Sequence, residues 1–102
     1  MPRIFRLPSE FALHPGARRL VEVDGHKIAL FNVDGTFYAV ADKCPHHGAS
    51  MLEGKLEGCI LECALHGLGF DLRTGAMRYG GLIARTYPVA LKDGLVEITL
   101  PE

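Results

Sequence analysis

The sequence predicts an all-β fold of antiparallel strands. Three observations point there: three Asp-Gly pairs set between apolar-rich runs, a final segment that alternates apolar and polar side chains, and almost no stretch with helix start and stop signals. Asp24-Gly25, Asp34-Gly35 and Asp93-Gly94 carry the dipeptide that accepts left-handed backbone angles in two-residue hairpin turns. Around them, runs rich in Val, Ile, Leu and aromatics predict strands at 3–7, 18–23, 27–33, 37–41, 87–92 and 95–100. In the last of these, Val96, Ile98 and Leu100 share one face and Leu95, Glu97 and Thr99 the other, so the first set should line the core. The one helix candidate is the short stretch 9–13, where Ser9 is placed to cap a turn that Pro15-Gly16 soon ends.

At 102 residues and 48% hydrophobic, the chain fits a single domain with a modest core, too small for a two-domain enzyme with its own substrate cleft. Eleven Lys and Arg stand against twelve Asp and Glu, a formal charge of -1, so no basic excess calls for nucleic acid or an anionic membrane. Near-zero net charge with ample apolar content also argues against disorder. Residues 1–20 contain Arg3, Arg6, Glu10, Arg18 and Arg19 and lack the apolar run of a secretory signal or membrane span, which predicts a cytoplasmic protein. In a reducing cytoplasm the three cysteines, Cys44, Cys59 and Cys63, read better as thiolate ligands than as a disulfide framework.

The middle of the chain differs in texture from the ends. Residues 42–81 hold all three cysteines, His46, His47 and His66, and eight glycines, whereas 1–41 and 82–102 carry the predicted strands. The expected organisation is therefore one domain, residues 1–102, with a β base at 1–41 and 82–102 and a loop-rich subdomain at about 42–81. Apolar burial alone would hold such loops poorly, and an inorganic centre would supply the missing constraint. Two boxes offer it: Cys44-Pro45-His46-His47-Gly48 and Cys63-Ala64-Leu65-His66-Gly67. The sixteen residues between His46 and Cys63 are enough for a hairpin that brings the boxes together. Cys44, His46, Cys63 and His66 would then present two sulfur and two nitrogen donors to one site.

Cys-x-His followed by Cys-x-x-His-Gly, with Phe70-Asp71 and Thr74-Gly75 after it, resembles the Rieske iron–sulfur proteins. The resemblance implies an antiparallel β-sandwich with a small cluster-binding subdomain. It implies one [2Fe–2S] cluster per chain, with Cys44 and Cys63 on one iron and His46 and His66 on the other. It also implies a monomeric one-electron carrier, not catalytic alone, that passes electrons from a reductase to a terminal oxygenase. Neutral imidazoles in place of two thiolates make the cluster less negative, so it accepts an electron more readily than a plant-type ferredoxin. The high-potential members carry an extra disulfide across the boxes, where this chain has Ala49 or its neighbour and Leu65. They also carry Ser and Tyr hydroxyls where this chain has Leu68 and Phe70. The potential should accordingly lie in the lower part of a range of roughly −150 to +300 mV. It should fall at alkaline pH, as the oxidised form sheds a ring proton from His46 or His66.

Other roles are expected nearby. Gly48 and Gly67 would let the backbone wrap the cluster, and Gly80-Gly81 would belong to a third covering loop that lacks the proline of many relatives. Met51, Leu65 and Leu68 would form an apolar collar for docking, the alternative being that Met51 and Leu68 pack inward under the loops. Cys59, just before Ile60-Leu61, reads as a small core residue on a strand, and His47, His14 and His26 as surface residues. Two rival readings share the four-ligand set. One is the small subunit of a multi-component reductase such as nitrite reductase. The other is a structural zinc site, although zinc modules favour Cys-x-x-Cys pairs. No nucleophile elbow, phosphate-binding loop or iron facial triad suggests catalysis.

Overall fold

A computed structural model describes residues 2–45, 48–63 and 68–101. The chain order is β1 (Arg3–Arg6), a 3₁₀ turn at Ser9–Phe11, β2 (Arg18–Val23), β3 (His26–Val33), β4 (Thr36–Ala41), β5 (Lys55–Glu57), β6 (Ile60–Glu62), β7 (Gly69–Asp71), β8 (Thr86–Tyr87), β9 (Val89–Lys92) and β10 (Leu95–Leu100). The strands form three antiparallel sheets, ordered β1-β10-β9, β2-β3-β4-β8 and β5-β6-β7. Each Asp-Gly pair closes a hairpin as predicted, with φ positive at both positions: 51° and 81° at Asp24-Gly25, 53° and 94° at Asp34-Gly35, 53° and 78° at Asp93-Gly94.

The four-stranded sheet is the middle layer, and β3 shows why. Its run Ile28-Ala29-Leu30-Phe31 is apolar at every position, the pattern of a strand buried on both faces. Ile28 and Leu30 join Val21, Val23, Ala39, Tyr87 and the β10 stripe Val96, Ile98 and Leu100 in one core, which packs the β1-β10-β9 sheet onto this layer. Ala29 and Phe31 point the other way, with Val40, into a second core that contains Leu61, Phe70 and Leu72 of the small sheet together with Cys44 and Cys63. The two larger sheets form a sandwich, and the outer face of the middle layer is the floor against which Leu61, Phe70 and Leu72 of the small sheet pack.

Two elements depart from the sequence expectation. The strand expected at 87–92 is cut at Pro88: β8 pairs with β4 in the middle layer, whereas β9 pairs with β10 in the outer sheet. Proline offers no N–H to a ladder, so the chain changes sheets there, and its carbonyl accepts the Thr99 N–H at 2.9 Å. The turn at Ser9–Phe11 begins after Pro8, which occupies the cap position, and Ser9 makes no capping bond through its side chain. No helix of the described residues is long and apolar enough to cross a membrane.

Candidate metal centre

The segment between the two boxes folds back as the β5–β6 hairpin, turning at Gly58 with φ 59°. This returns the chain from the first box to the second. Cys44 stands just beyond the end of β4 and Cys63 just beyond the end of β6. Their side chains are 1% and 2% exposed and belong to the same apolar cluster. His46 and His66, expected as the nitrogen donors, lie outside the described residues, as do His47, Leu65 and Gly67. Among the described residues no three His, Cys, Asp or Glu side chains are grouped to hold a metal, and of the four expected donors the described residues include the two cysteines.

Both boxes are closed by their own backbone. The Cys44 N–H donates to the Ala49 carbonyl and the Gly48 N–H to the Cys44 carbonyl, each at 2.7 Å. Gly48 has φ 75°, which the turn requires and a side chain would disfavour. The Cys63 N–H donates to the Leu68 carbonyl at 2.7 Å, joining the two described residues that flank the rest of the second box.

Three residues that the sequence reading missed fasten these loops. The Asp42 carboxylate accepts the Ser50 hydroxyl at 2.8 Å and the Leu52 N–H at 2.8 Å, tying down the far side of the first box. Arg18, on β2 of the base, donates through Nη1 to the carbonyls of Leu52 at 2.9 Å and Gly54 at 2.6 Å, and its guanidinium carbon lies 5.2 Å from the centre of the Phe31 ring. Gly54 itself is fixed by contact, because a Cβ there would stand 2.2 Å from the Glu62 carbonyl oxygen. Asp42 lies two residues before Cys44, and a carboxylate placed just ahead of a turn is the local signal that points to it. Arg18 is 34 residues from Leu52, and nothing local in the sequence announces the contact.

The remaining assignments divide. Met51 is fully buried in the cluster with Cys44 and Cys63, so it packs inward and is no part of a collar. Leu68 is half-buried against the same cluster. Among the described residues, large exposed apolar side chains occur in the loop after β7, where Tyr79 is 82% and Ile83 68% exposed. Ile83 shares a shallow cleft with Lys43, Cys44, Pro45 and Arg85, which places the Gly80-Gly81 loop beside the first box. Cys59 is not a core strand residue. It sits in the β5–β6 turn, half-buried, with its sulfur 3.8 Å from the Tyr38 hydroxyl. That contact, helped by burial, pushes the Tyr38 phenol above its ordinary range. Asp71 accepts the Arg73 N–H at 2.9 Å and the guanidinium Nη2 at 2.9 Å, which holds its carboxyl below the usual range despite some burial.

Two buried thiols, each opening a backbone-closed loop and sharing one apolar cluster, suit a sulfide-bridged iron centre. Thiolates are the donors such a centre takes, and an apolar surround limits solvent access to it. Three cysteines cannot supply four thiolates from one chain, so any such centre needs other donors.

Residues 5–88 match the Rieske [2Fe-2S] domain family. The chain is 45% identical over 93 residues to the 3-phenylpropionate/cinnamic acid dioxygenase ferredoxin subunit of Photorhabdus laumondii, spanning 88% of each chain. Among solved structures, it is similar to a chain of the complex of reduced oxygenase and oxidised ferredoxin in carbazole 1,9a-dioxygenase. That likeness has a TM-score of 0.81 at 31% identity and covers 93% of this chain and 91% of the other. The putative NADH-dependent nitrite reductase small subunit of Mycobacterium tuberculosis superposes with a TM-score of 0.85 over 100% of this chain and 98% of the other. At 22% identity it attests the fold alone.

Proposed function

Because the chain belongs to the Rieske [2Fe–2S] domain family, we propose that Cys44 and Cys63 hold one iron of its cluster and His46 and His66 the other. The chain acts as a ferredoxin of a dioxygenase system, a one-electron carrier between a reductase and a terminal oxygenase, and works in the cytoplasm. The observation that carries the ligand assignment is the pairing of Cys44 and Cys63: both fully buried, each opening one of the two boxes, both in one apolar cluster on the outer face of the base. The cluster supplies reversible one-electron chemistry, and the family assignment replaces the zinc reading.

The protein's own residues do the rest. Asp42, Arg18 and the closed boxes keep the donors in place between oxidation states, so little rearrangement accompanies each electron. The buried surround of Met51, Leu61 and Phe70 excludes water from the sulfur side. Partners approach at the loop end, beside exposed Tyr79 and Ile83, with Lys43 and Arg85 at hand.

Iron analysis of single variants tests the ligand set. Cys44→Ala, His46→Ala, Cys63→Ala and His66→Ala should each lose the cluster, while His47→Ala and Cys59→Ala should keep the iron content of the parent. A cluster lost with Cys59, or kept without His66, would overturn the assignment. The carrier role is read from redox titration with dithionite, in which each chain should take up one electron. The nitrite reductase reading rests on fold likeness alone. It would gain if the protein copurified in a stable complex with a large subunit.

A further inference from the structure

Strands β6 and β7 meet at Glu62 and Gly69, which face each other across the ladder. One step further out, the Cys63 N–H closes onto the Leu68 carbonyl, so this pair is the stem of the loop that carries His66. Gly69 is buried and has no side chain. The space a Cβ would take there is bounded by the Arg78 side chain, with Nε at 3.4 Å and Cζ at 3.5 Å, and by Ile60 Cγ2 at 3.2 Å. The Arg78 N–H donates to the Gly69 carbonyl at 2.7 Å, and its Nη2 lies 3.7 Å from Glu62 Oε2. One guanidinium thus covers the β7 side of the stem and pairs with the carboxylate on the β6 side, backed by the Tyr79 ring at 5.3 Å.

We propose that Arg78 is a positioning residue for the second ligand loop, clasping its stem through Gly69 and Glu62 and so restraining the opening that releases the cluster. The proposal rests on the reading of Cys63 and His66 as ligands. A single ion pair between side chains 41% and 31% exposed adds little to global stability, so the effect falls on local opening of the loop. The planar guanidinium lies against the strand, a fit that a lysine ammonium reproduces only in charge.

The experiment compares cluster-loaded protein with Arg78→Gln, Glu62→Gln, the double variant and Arg78→Lys. The rate of bleaching by an iron chelator under anaerobic conditions is measured beside the thermal unfolding midpoint and the resonance linewidths of the reduced protein. Each of Arg78→Gln and Glu62→Gln should lose the cluster about three- to tenfold faster, with the double variant no faster than either, as a shared interaction requires. Both charge variants should also broaden the resonance lines. Arg78→Lys should fall between parent and Arg78→Gln. Unfolding midpoints of the two charge variants should stay within about 3 °C of the parent. Loss rates within twofold of the parent would overturn the proposal. So would opposite effects of Arg78→Gln and Glu62→Gln that cancel in the double variant, since those would report charge alone. Failure of the underlying ligand reading shows separately, as a parent protein without two irons and two labile sulfides.

Discussion

Met51→Ala is the perturbation whose size the structure fixes best. Met51 is fully buried in the cluster that contains Cys44 and Cys63, and its turn is held by the Asp42 bond to Leu52 and the Arg18 bonds to Leu52 and Gly54. With its backbone so restrained the site collapses little around a missing side chain, which puts the cost at about 3 kcal/mol, inside the usual 2–5 for truncating a buried methionine. That is a large share of the 5–15 kcal/mol typical of a domain. Cluster release makes unfolding irreversible, so the cost is read as a rate under anaerobic denaturant. If the packing forms after the folding transition state, the variant unfolds up to about a hundredfold faster. Met51→Leu, close in volume, should cost under about 1.5 kcal/mol. An alanine variant that unfolds within twofold of the parent would refute the inward packing and return Met51 to the surface.

Other outcomes follow from single contacts. Leu68→Ser with Phe70→Tyr, which places hydroxyls beside the cluster that also holds Cys44 and Cys63, should raise the reduction potential in voltammetry; no rise in the folded double variant would count against their placement. Gly54→Ala drives a Cβ to 2.2 Å from the Glu62 carbonyl and should cost at least about 2 kcal/mol, roughly 10 °C in unfolding midpoint. Gly58→Ala meets open space and pays only for its positive φ, about 1 kcal/mol, so the reverse ranking would contradict the contact. Arg73 holds the Asp71 carboxyl below the ordinary carboxylate range, so the stability it contributes is full above that range and is lost as pH falls through the lowered value. Asp71→Asn should flatten the acid limb of the unfolding midpoint against pH, and an unchanged limb would remove the pair from the account.

What the sequence disclosed was local. The hairpins were legible because Asp-Gly leaves few alternatives to a tight turn, and the β10 stripe because alternation maps directly onto one buried face. The two boxes were legible because ligand chemistry demands particular residues at particular spacings. Other features depended on what the chain packs against. The unbroken run Ile28–Phe31 declares a strand covered on both sides, yet which sheet covers each side is a tertiary fact. The stretch 87–92 reads as one strand, and the change of sheet at Pro88 depends on the position of β10. Cys59 looked like core beside Ile60-Leu61, but the hairpin needs a turn there, with Gly58 at positive φ. Arg18 and Arg78 act across distances in sequence that no local pattern encodes.

The most direct test is electron–nuclear double resonance on the dithionite-reduced protein, with iron and acid-labile sulfide assayed on the same sample. The expected result is two irons, two sulfides and hyperfine coupling to two imidazole nitrogens that disappears from His46 and His66 variants. A sample without labile sulfide, or a spectrum without nitrogen coupling, would contradict it.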